Sequence, residues 1–301
     1  MVRDFISLLD LSTDEIVGLL DFADLLKKQR KEGIPHRLLE GKTLAMIFEK
    51  PSLRTRLTFQ IGMFQLGGDA VLIDTQLGQR ESVPDVARNL ERWVHGIMAR
   101  TYKHDDVLAI AQYSSVPVIN ALTDKLHPCQ ILADAQAMRE HLGKDFSSLK
   151  LAFVGDGNNV FHSWAEFAAR LPLNLTLVCP PAYGPDPDIV ARAQADAKGE
   201  IVITHDLESG VKDADAVYTD VWASMGQEEE AKAREKVFKP YQVNARVMAM
   251  AKPGALFMHC LPAHRGSEVT NDVMDAPNSI VFDQAENRLH AQKAIMATLM
   301  K

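Results

Sequence analysis

The chain has 301 residues, which is enough for two domains that each bury a core. Hydrophobic residues make up 47% of it and charged residues 24%, a balance typical of soluble globular proteins that excludes a largely disordered chain. The formal net charge of −7 excludes a nucleic-acid surface built on bulk positive charge, so any anion site must be local.

The three cysteines, Cys129, Cys179 and Cys260, show no C-x-x-C spacing. This pattern predicts neither a disulfide framework nor a structural zinc site, and it favours a reducing compartment. No apolar run reaches the roughly 18 residues that a membrane span needs, and the first residues include acids and no long apolar core. We therefore expect a cytoplasmic protein with no metal, no membrane partner and no nucleic-acid partner.

The first half of the chain reads as one helix followed by alternating strands and helices. Ser12 and Glu15 form a capping-box pattern, after which apolar residues at helical spacing predict a helix from Thr13 to Lys31. Short β-rich runs then alternate with helical segments at residues 54–66 and 83–92, which is the rhythm of a parallel βαβ sheet. The predicted strands are TLAMIFE, DAVLID, HGIMAR and VPVIN.

A second βα series follows a predicted helix from Cys129 to Leu142. Its predicted strands are KLAFVGD, LTLVCP, EIVITH, DAVYTD, ALFMHC and SIVFD. The sequence thus predicts an α/β fold of two parallel-sheet domains with helices on both faces: residues 1–145 together with a C-terminal helix 284–301 that packs back on them, and residues 146–283. Ligands of such sheets bind at the carboxyl ends of the strands, where the polar motifs fall.

The segment S-L-R-T-R (residues 52–56) leaves a predicted strand and opens a helix. Amide N–H groups of the helix start, the Ser52 and Thr55 hydroxyls and the Arg54 guanidinium would together suit a phosphate dianion. The alternative is that Ser52 is an ordinary N-cap beside two solvated arginines. Arg100, at the end of HGIMAR, is either a further anion contact or a salt-bridge partner.

Other polar motifs also follow predicted strands. In H-P-C-Q (residues 127–130) the imidazole either polarises a carbonyl by hydrogen bonding or has a structural role. G-D-G-N-N (155–159) lacks the third glycine of the dinucleotide fingerprint, so its asparagines either bind a polar substrate or form a turn. Two strands end in D-V-W-A-S-M-G (220–226) and H-C-L-P-A-H-R-G (259–266), and by itself the cysteine in the second is an inert small hydrophobe.

These five motifs, with F-D-Q-A-E-N-R-L-H near the C-terminus, resemble the aspartate/ornithine carbamoyltransferase family over essentially the whole chain. The last three of the five are most similar to its ornithine branch. The resemblance implies a homotrimer or an assembly of trimers that needs no cofactor. It also implies that the N-terminal half binds carbamoyl phosphate, that the C-terminal half binds L-ornithine, and that closure over both leads to L-citrulline and phosphate.

The resemblance implies roles for individual residues as well. It assigns carbamoyl phosphate binding to Ser52, Leu53, Arg54, Thr55, Arg100, His127, Gln130, Cys260, Leu261 and Arg288. The implied catalytic residues among them are Arg54, Arg100, His127, Cys260 and Arg288. It assigns ornithine binding to Asn159, Asp220, Ser224 and Met225. The family usually has threonine where this chain has Leu53, and we expect Leu53 to contribute its backbone N–H.

The sequence leaves several other functions open. Transfer to an acylated ornithine, to putrescine or to aspartate would use the same donor half. The D-V-W-A-S-M-G segment argues against these acceptors, because its acid at position 220 suits the α-ammonium of ornithine, and because putrescine lacks the α-carboxylate that such a loop would bind. A binding or scaffold protein that retains the fold is disfavoured because the polar motif positions are intact. A nicotinamide enzyme is disfavoured by the missing third glycine and the missing acidic ribose partner.

Overall fold

The computed structural model describes residues 4–223 and 230–301. The chain forms two compact units, of which unit 1 comprises Met1–Gln136 with Glu286–Lys301 and unit 2 comprises Ala137–Ala285. As predicted for the C-terminal helix, its last part belongs to the N-terminal unit. Among the helices of the described residues, none combines the length and the apolar character needed to cross a membrane.

Unit 1 contains a four-stranded parallel sheet in the order β2-β1-β3-β4. Phe48, the last residue of β1, pairs with Arg100, the last residue of β3, so the segments that follow both strands start at one edge of the sheet. The strands are β1 Thr43–Phe48, β2 Asp69–Asp74, β3 Gly96–Arg100 and β4 Val118–Leu122. The helices are α1 Thr13–Lys31, α2 Leu53–Gln65, α3 Val83–Leu90, α4 His104–Tyr113 and the first part of α5 Pro128–Leu142.

Unit 2 contains a five-stranded parallel sheet in the order β7-β6-β5-β8-β9. Val154 of β5 pairs with Thr219 of β8, which pairs with His259 of β9, so the turns after these three strands share one edge. The strands are β5 Lys150–Val154, β6 Asn174–Val178, β7 Ile201–Thr204, β8 Ala216–Thr219 and β9 Leu256–His259. The helices are α6 Asn159–Arg170, α7 Pro187–Asp196, α8 Leu207–Val211, α9 Ala231–Phe238, α10 Ala245–Met248, α11 Asn271–Met274 and α12 Val281–Leu299, whose last part belongs to unit 1.

Most of the predicted elements are confirmed. Helix α1 has the predicted bounds and the predicted capping box, in which the Ser12 hydroxyl accepts from the Glu15 N–H. The prediction of a strand at SIVFD is wrong. Ser279 makes only an isolated bridge with Phe257, and the helix α12 begins two residues later at Val281. The β-branched run there is buried as the start of a helix, which a short apolar run cannot signal by itself.

An aromatic cluster fixes the start of α6 against the sheet of unit 2. The rings of Phe153 and Tyr218, on the neighbouring strands β5 and β8, stack with centroids 5.2 Å apart. Trp164 of α6 meets Tyr218 edge-on at 6.2 Å, and Phe161 meets Phe153 edge-on at 5.7 Å. All four side chains are fully buried, so their close packing fixes the position of the turn between β5 and α6.

Helices α2 and α12 pack closely at Gly62, where a Cβ would lie 2.8 Å from Met296 Cε. Lys293 of α12 is fully buried at this contact. Its ammonium donates to Gln65 Oε1 at 2.9 Å and lies 3.0 Å from His36 Nε2. Burial and, to a lesser degree, the charge of Arg30 lower the pKa of Lys293 to about 8.

This buried lysine predicts a pH-dependent effect of Lys293→Met on stability. A folded-state pKa below the unfolded value destabilises the fold at low pH, and the penalty is relieved as pH rises from about 8 towards the unfolded pKa near 10.5. The free energy of unfolding of the variant minus that of the wild type should therefore fall by about 2 kcal/mol between pH 7 and 9.5. Urea denaturation at both pH values measures it. The exposed Lys28→Met is the control, and an equal pH response in both variants would contradict the prediction.

Candidate active site

The start of α2 forms the first part of the site in unit 1. Ser52 occupies the N-cap position, yet its side chain makes no capping hydrogen bond. The interpretation of Ser52 as an ordinary side-chain cap is thus not what the structure shows. The first turn of the helix carries N–H groups without intrahelical partners and the positive end of the helix dipole, both of which attract an anion. Leu53 is 70% exposed, and as the first residue of α2 it contributes its backbone N–H to this turn.

Thr55 is the meeting point of two arginines from distant parts of the chain. Its fully buried hydroxyl accepts hydrogen bonds from Arg288 Nη2 at 2.5 Å and from Arg100 Nη1 at 3.4 Å. Both arginines are buried, Arg100 at the end of β3 and Arg288 on α12, whereas Arg54 in the first turn of α2 is half-buried. Three guanidinium groups therefore concentrate positive charge at one edge of a sheet in a protein whose net charge is negative.

His127, immediately before α5, is held neutral in this surrounding. Burial lowers the pKa of His127 well below its ordinary value, and the charges of Arg288, Arg100 and Arg54 lower it further. A neutral imidazole can donate one N–H to a carbonyl oxygen on which negative charge develops. Gln130, in the first turn of α5, is also buried, and its amide donates to Asp134 Oδ1 at 2.8 Å.

Glu49 is a residue of this edge for which the sequence suggested no role. Its carboxylate accepts hydrogen bonds from the backbone N–H groups of Leu77 and Tyr102, both at 2.8 Å. It thereby joins the segment after β1 to the loop that includes residues 76–81 and to the residue pair after β3. The acid lies directly before K-P-S-L-R-T-R, and this adjacency is the signal that could have found it.

The turn after β5 holds Asp220, which belongs to the candidate site in unit 2. Asn158 caps α6 through its side-chain oxygen, which accepts from Val160 N and Phe161 N, and its amide donates to Asp220 Oδ2 at 2.8 Å. Asn159, the neighbour assigned to ornithine by resemblance, is half-buried as the first residue of the helix. A Cβ at Gly157 would lie 2.3 Å from Pro185 N, so only glycine allows this close approach of backbone.

Asp220, directly after β8, is a buried acceptor of several hydrogen bonds. Its Oδ1 accepts from the Cys260 thiol at 3.0 Å and from Val221 N at 2.8 Å. Asp220, His259 and Cys260 each offer a ligand atom within 4.8 Å of the others, which is the arrangement of a possible metal centre. The thiol already donates to the carboxylate, however, and both ring nitrogens of His259 make hydrogen bonds with Leu261 and Glu268. The cluster is therefore a hydrogen-bonded network whose ligand atoms are engaged.

Arg234 on α9 is a further residue that sequence reasoning missed. Its Nη1 donates to Asp156 Oδ2 at 2.8 Å and to the carbonyl of Trp222 at 3.0 Å. It thus ties the turn after β5 to the segment after β8. Burial raises the pKa of Asp156, and the Arg234 charge partly offsets this rise. A lone arginine on a surface-patterned helix carries no sequence signal for such a role.

The structure brings some predicted site residues together and leaves others apart. In unit 1, Thr55, Arg100 and Arg288 are in direct contact, and Arg54 and His127 share their electrostatic surrounding. In unit 2, Asp220 and Cys260 are in direct contact. Asp220 accepts a hydrogen bond from Asn158, which lies next to Asn159, the residue predicted to bind ornithine. The predicted ligands Ser224 and Met225 lie outside the described residues.

The structure thus defines a class of two-domain α/β protein with a positively charged sheet edge that suits an anionic ligand in one unit and a carboxylate beside a thiol in the other. The family models narrow this class. Residues 3–140 match the carbamoyl-P binding domain of aspartate/ornithine carbamoyltransferase, and residues 147–299 match its Asp/Orn binding domain. The chain belongs to the aspartate/ornithine carbamoyltransferase family.

Individual relatives agree with this placement. The ornithine carbamoyltransferase of Thermococcus kodakarensis is 53% identical over 304 residues, covering 99% of this chain and 96% of the relative. The solved structure of ornithine carbamoyltransferase from Pyrococcus furiosus matches with a TM-score of 0.96 at 51% identity, covering 99% of this chain and 97% of that one. A structure of N-acetyl-L-ornithine transcarbamylase also matches, with a TM-score of 0.88 at 36% identity and 99% coverage of both chains. The fold alone therefore does not distinguish ornithine from N-acetylornithine as the acceptor.

Proposed function

We propose that this protein transfers the carbamoyl group of carbamoyl phosphate to the side-chain amine of L-ornithine, giving L-citrulline and phosphate. The observation that carries the proposal is the buried Thr55 hydroxyl in the first turn of α2, which accepts hydrogen bonds from Arg100 and Arg288. Fixed positive charge and helix-start amides are suited to a departing phosphate. The full-length identity to ornithine carbamoyltransferases supports ornithine as the acceptor.

In the donor half, the proposed ligands of carbamoyl phosphate form two groups, one that binds the phosphate and one that binds the carbamoyl group. Arg54, Arg100 and the backbone of Leu53 bind the phosphate, together with the hydroxyls of Ser52 and Thr55. His127, Gln130 and Arg288 hold the carbamoyl group. As the amine attacks the carbonyl carbon, negative charge grows on the carbonyl oxygen, and neutral His127 and charged Arg288 stabilise it as donors that are already in place. The C–O bond to phosphate then breaks, its electrons leave with the phosphate, and the proton that the attacking nitrogen loses passes to the departing phosphate.

In the acceptor half, Asp220 is the proposed partner of an amino group of ornithine. Asn159, Ser224 and Met225 are the further proposed ligands. The side-chain amine has a lysine-like pKa near 10.4, so making it neutral at pH near 7.4 costs about 4 kcal/mol. Desolvation of the bound amine favours the neutral form that attacks. Cys260 and Leu261 border the reacting centre, and Cys260 anchors an amine and does not attack the donor.

This role of Cys260 predicts the effect of Cys260→Ser. We expect KM for ornithine to rise by about tenfold, because the thiol that anchors the amine is lost. We expect kcat to fall less, because the serine hydroxyl can still donate to Asp220 and no covalent intermediate is lost. Steady-state kinetics at saturating carbamoyl phosphate measure both constants. Mass spectrometry of the wild type during turnover provides the check, since a carbamoyl adduct on Cys260 would contradict the prediction.

We propose further that residues 1–145 with 284–301 serve as the donor domain and residues 146–283 as the acceptor domain, and that the protein is a cytoplasmic homotrimer. An apolar stripe along α2 supports self-association, because its four members lie on one face at helical spacing. These exposed residues are Leu53, Leu57, Ile61 and Phe64. Light scattering of the purified protein would test the assembly, with three chain masses expected.

One assay tests the proposed reaction and its rivals together. The purified protein is incubated with carbamoyl phosphate in EDTA and with ornithine, N-acetylornithine, putrescine or aspartate as acceptor. Citrulline from ornithine alone is the expected result, and its formation in EDTA would agree with a reaction that needs no metal. Product from another acceptor only would overturn the assignment of the acceptor half and keep that of the donor half. No product with any acceptor would favour a binding protein.

A further inference from the structure

The turn that follows β9 contains a leucine in a conformation that favours glycine. Leu261 has φ of +58°, the left-handed region in which a branched side chain is strained. Leu261 directly follows Cys260, whose thiol donates to Asp220 Oδ1 at 3.0 Å. A residue in such a conformation persists only where its surroundings hold it there.

His259 holds the backbone of Leu261. The Leu261 N–H donates to His259 Nδ1 at 2.8 Å, and the imidazole is fully buried. Because Nδ1 is the acceptor in this bond, the ring proton lies on Nε2 and the imidazole is neutral. Nε2 in turn donates to Glu268 Oε1 at 3.3 Å, so the carboxylate selects the tautomer that the turn requires.

Glu268 links both ends of the turn. It is fully buried, and the same Oε1 also accepts the backbone N–H of His264, which lies on the far side of Leu261. The near side is fixed as well, since the His259 N–H donates to Gln284 Oε1 at 3.0 Å. The segment 259–264 is thus held by hydrogen bonds at its start, at the strained residue and at its end.

We propose that Glu268 and His259 are positioning residues, which act through Leu261 to fix the turn that presents Cys260 to Asp220. Neither residue needs to touch a substrate. The effect of this positioning on carbamoyl transfer rests on the proposed function, whereas its effect on the geometry of Cys260 does not.

Two pairs of matched variants separate hydrogen bonding from packing. His259→Asn keeps an oxygen that can accept the Leu261 N–H, and His259→Phe fills the space without an acceptor. Glu268→Gln keeps one oxygen for both of its donors, and Glu268→Met has similar length without any acceptor. The two Glu268 variants have side chains of similar size, so this pair isolates the hydrogen bonds, whereas in the His259 pair only phenylalanine keeps the volume of the ring.

The first readout is alkylation of Cys260 by iodoacetamide, which needs no substrate. Cys260 is partly exposed, whereas Cys129 and Cys179 are buried and burial raises their thiol pKa values to about 12 and about 11, so the label should report on Cys260. We expect alkylation at least about threefold faster in the Phe and Met variants and within about twofold of wild type in the Asn and Gln variants. Peptide mass spectrometry identifies the labelled cysteine.

The second readout is a pair of measurements on function. We expect kcat for citrulline to fall at least about tenfold in the Phe and Met variants, with inorganic phosphate binding within about twofold of wild type, because the phosphate ligands are in unit 1. Equal alkylation and equal kcat within each pair would overturn the proposal, as would loss in all four variants alike. If His259→Phe does not fold, the two Glu268 variants make the same comparison. If the wild type makes no citrulline, the proposed function fails, and the alkylation rates still decide the positioning.

Discussion

Replacing Arg54 by alanine is expected to lower kcat/KM for carbamoyl phosphate by about 10³-fold while KM for ornithine stays within about threefold. Arg54 is half-buried in the first turn of α2, and its charge contributes to the lowered pKa of His127. The phosphate gains negative charge as the C–O bond breaks, so a guanidinium placed there stabilises the transition state more than the bound donor. Initial rates at varied carbamoyl phosphate and saturating ornithine measure the loss.

Arg56 supplies the matched control for Arg54. It is the second arginine of the same motif, it lies in the same helix, and it is exposed. Arg56→Ala removes the same charge two residues away and should leave kcat/KM within about twofold of wild type. Equal losses in the two variants would mean that general electrostatic attraction matters and that Arg54 has no specific role. An unchanged rate in Arg54→Ala would remove it from the leaving-group site.

The start of α2 shows how far local sequence pattern reaches. The strand, the turn and the helix at S-L-R-T-R were predictable because periodicity and helix-start signals are local. Whether Ser52 caps the helix was not, because that depends on one side-chain torsion. The contact of Thr55 with Arg288 spans 233 positions in the chain, and the family resemblance assigned both residues to carbamoyl phosphate without predicting that they touch. Such long-range pairings follow from the packing of α12, which no local window contains.

The sheet of unit 2 shows a different limit of prediction from sequence. The motifs after β5, β8 and β9 were placed at one sheet edge because parallel strands share a direction, and the register confirms this. Local pattern did not separate Asn158 from Asn159, since they are adjacent amides, and only the family resemblance singled out Asn159. The structure separates them, because one caps α6 and holds Asp220 while the other begins the helix. Supporting contacts such as Arg234 to Asp156 arise only when separate elements pack together.

The largest expected effect in the acceptor half is that of Asp220→Asn, which should lower kcat/KM for ornithine by about 10³-fold. Both carboxylate oxygens of Asp220 accept hydrogen bonds, one from Asn158 and the other from Cys260 and Val221. An asparagine must turn its own NH₂ towards one of these donors, so a donor faces a donor in either orientation. The substitution also removes the negative charge that would meet an ammonium group of ornithine. Initial rates at varied ornithine and saturating carbamoyl phosphate measure the loss.

The location of Asp220 determines what should not change in this variant. The proposed phosphate ligands belong to unit 1, so the affinity for inorganic phosphate should stay within about twofold of wild type. Asp272→Asn, the same substitution at an exposed acid of unit 2, is the control for charge alone and should leave both constants unaltered. Weaker phosphate binding in Asp220→Asn would mean that the substitution disturbs the whole protein. A wild-type kcat/KM for ornithine would show that the acceptor binds without this carboxylate, and the assignment of the acceptor half would then be wrong.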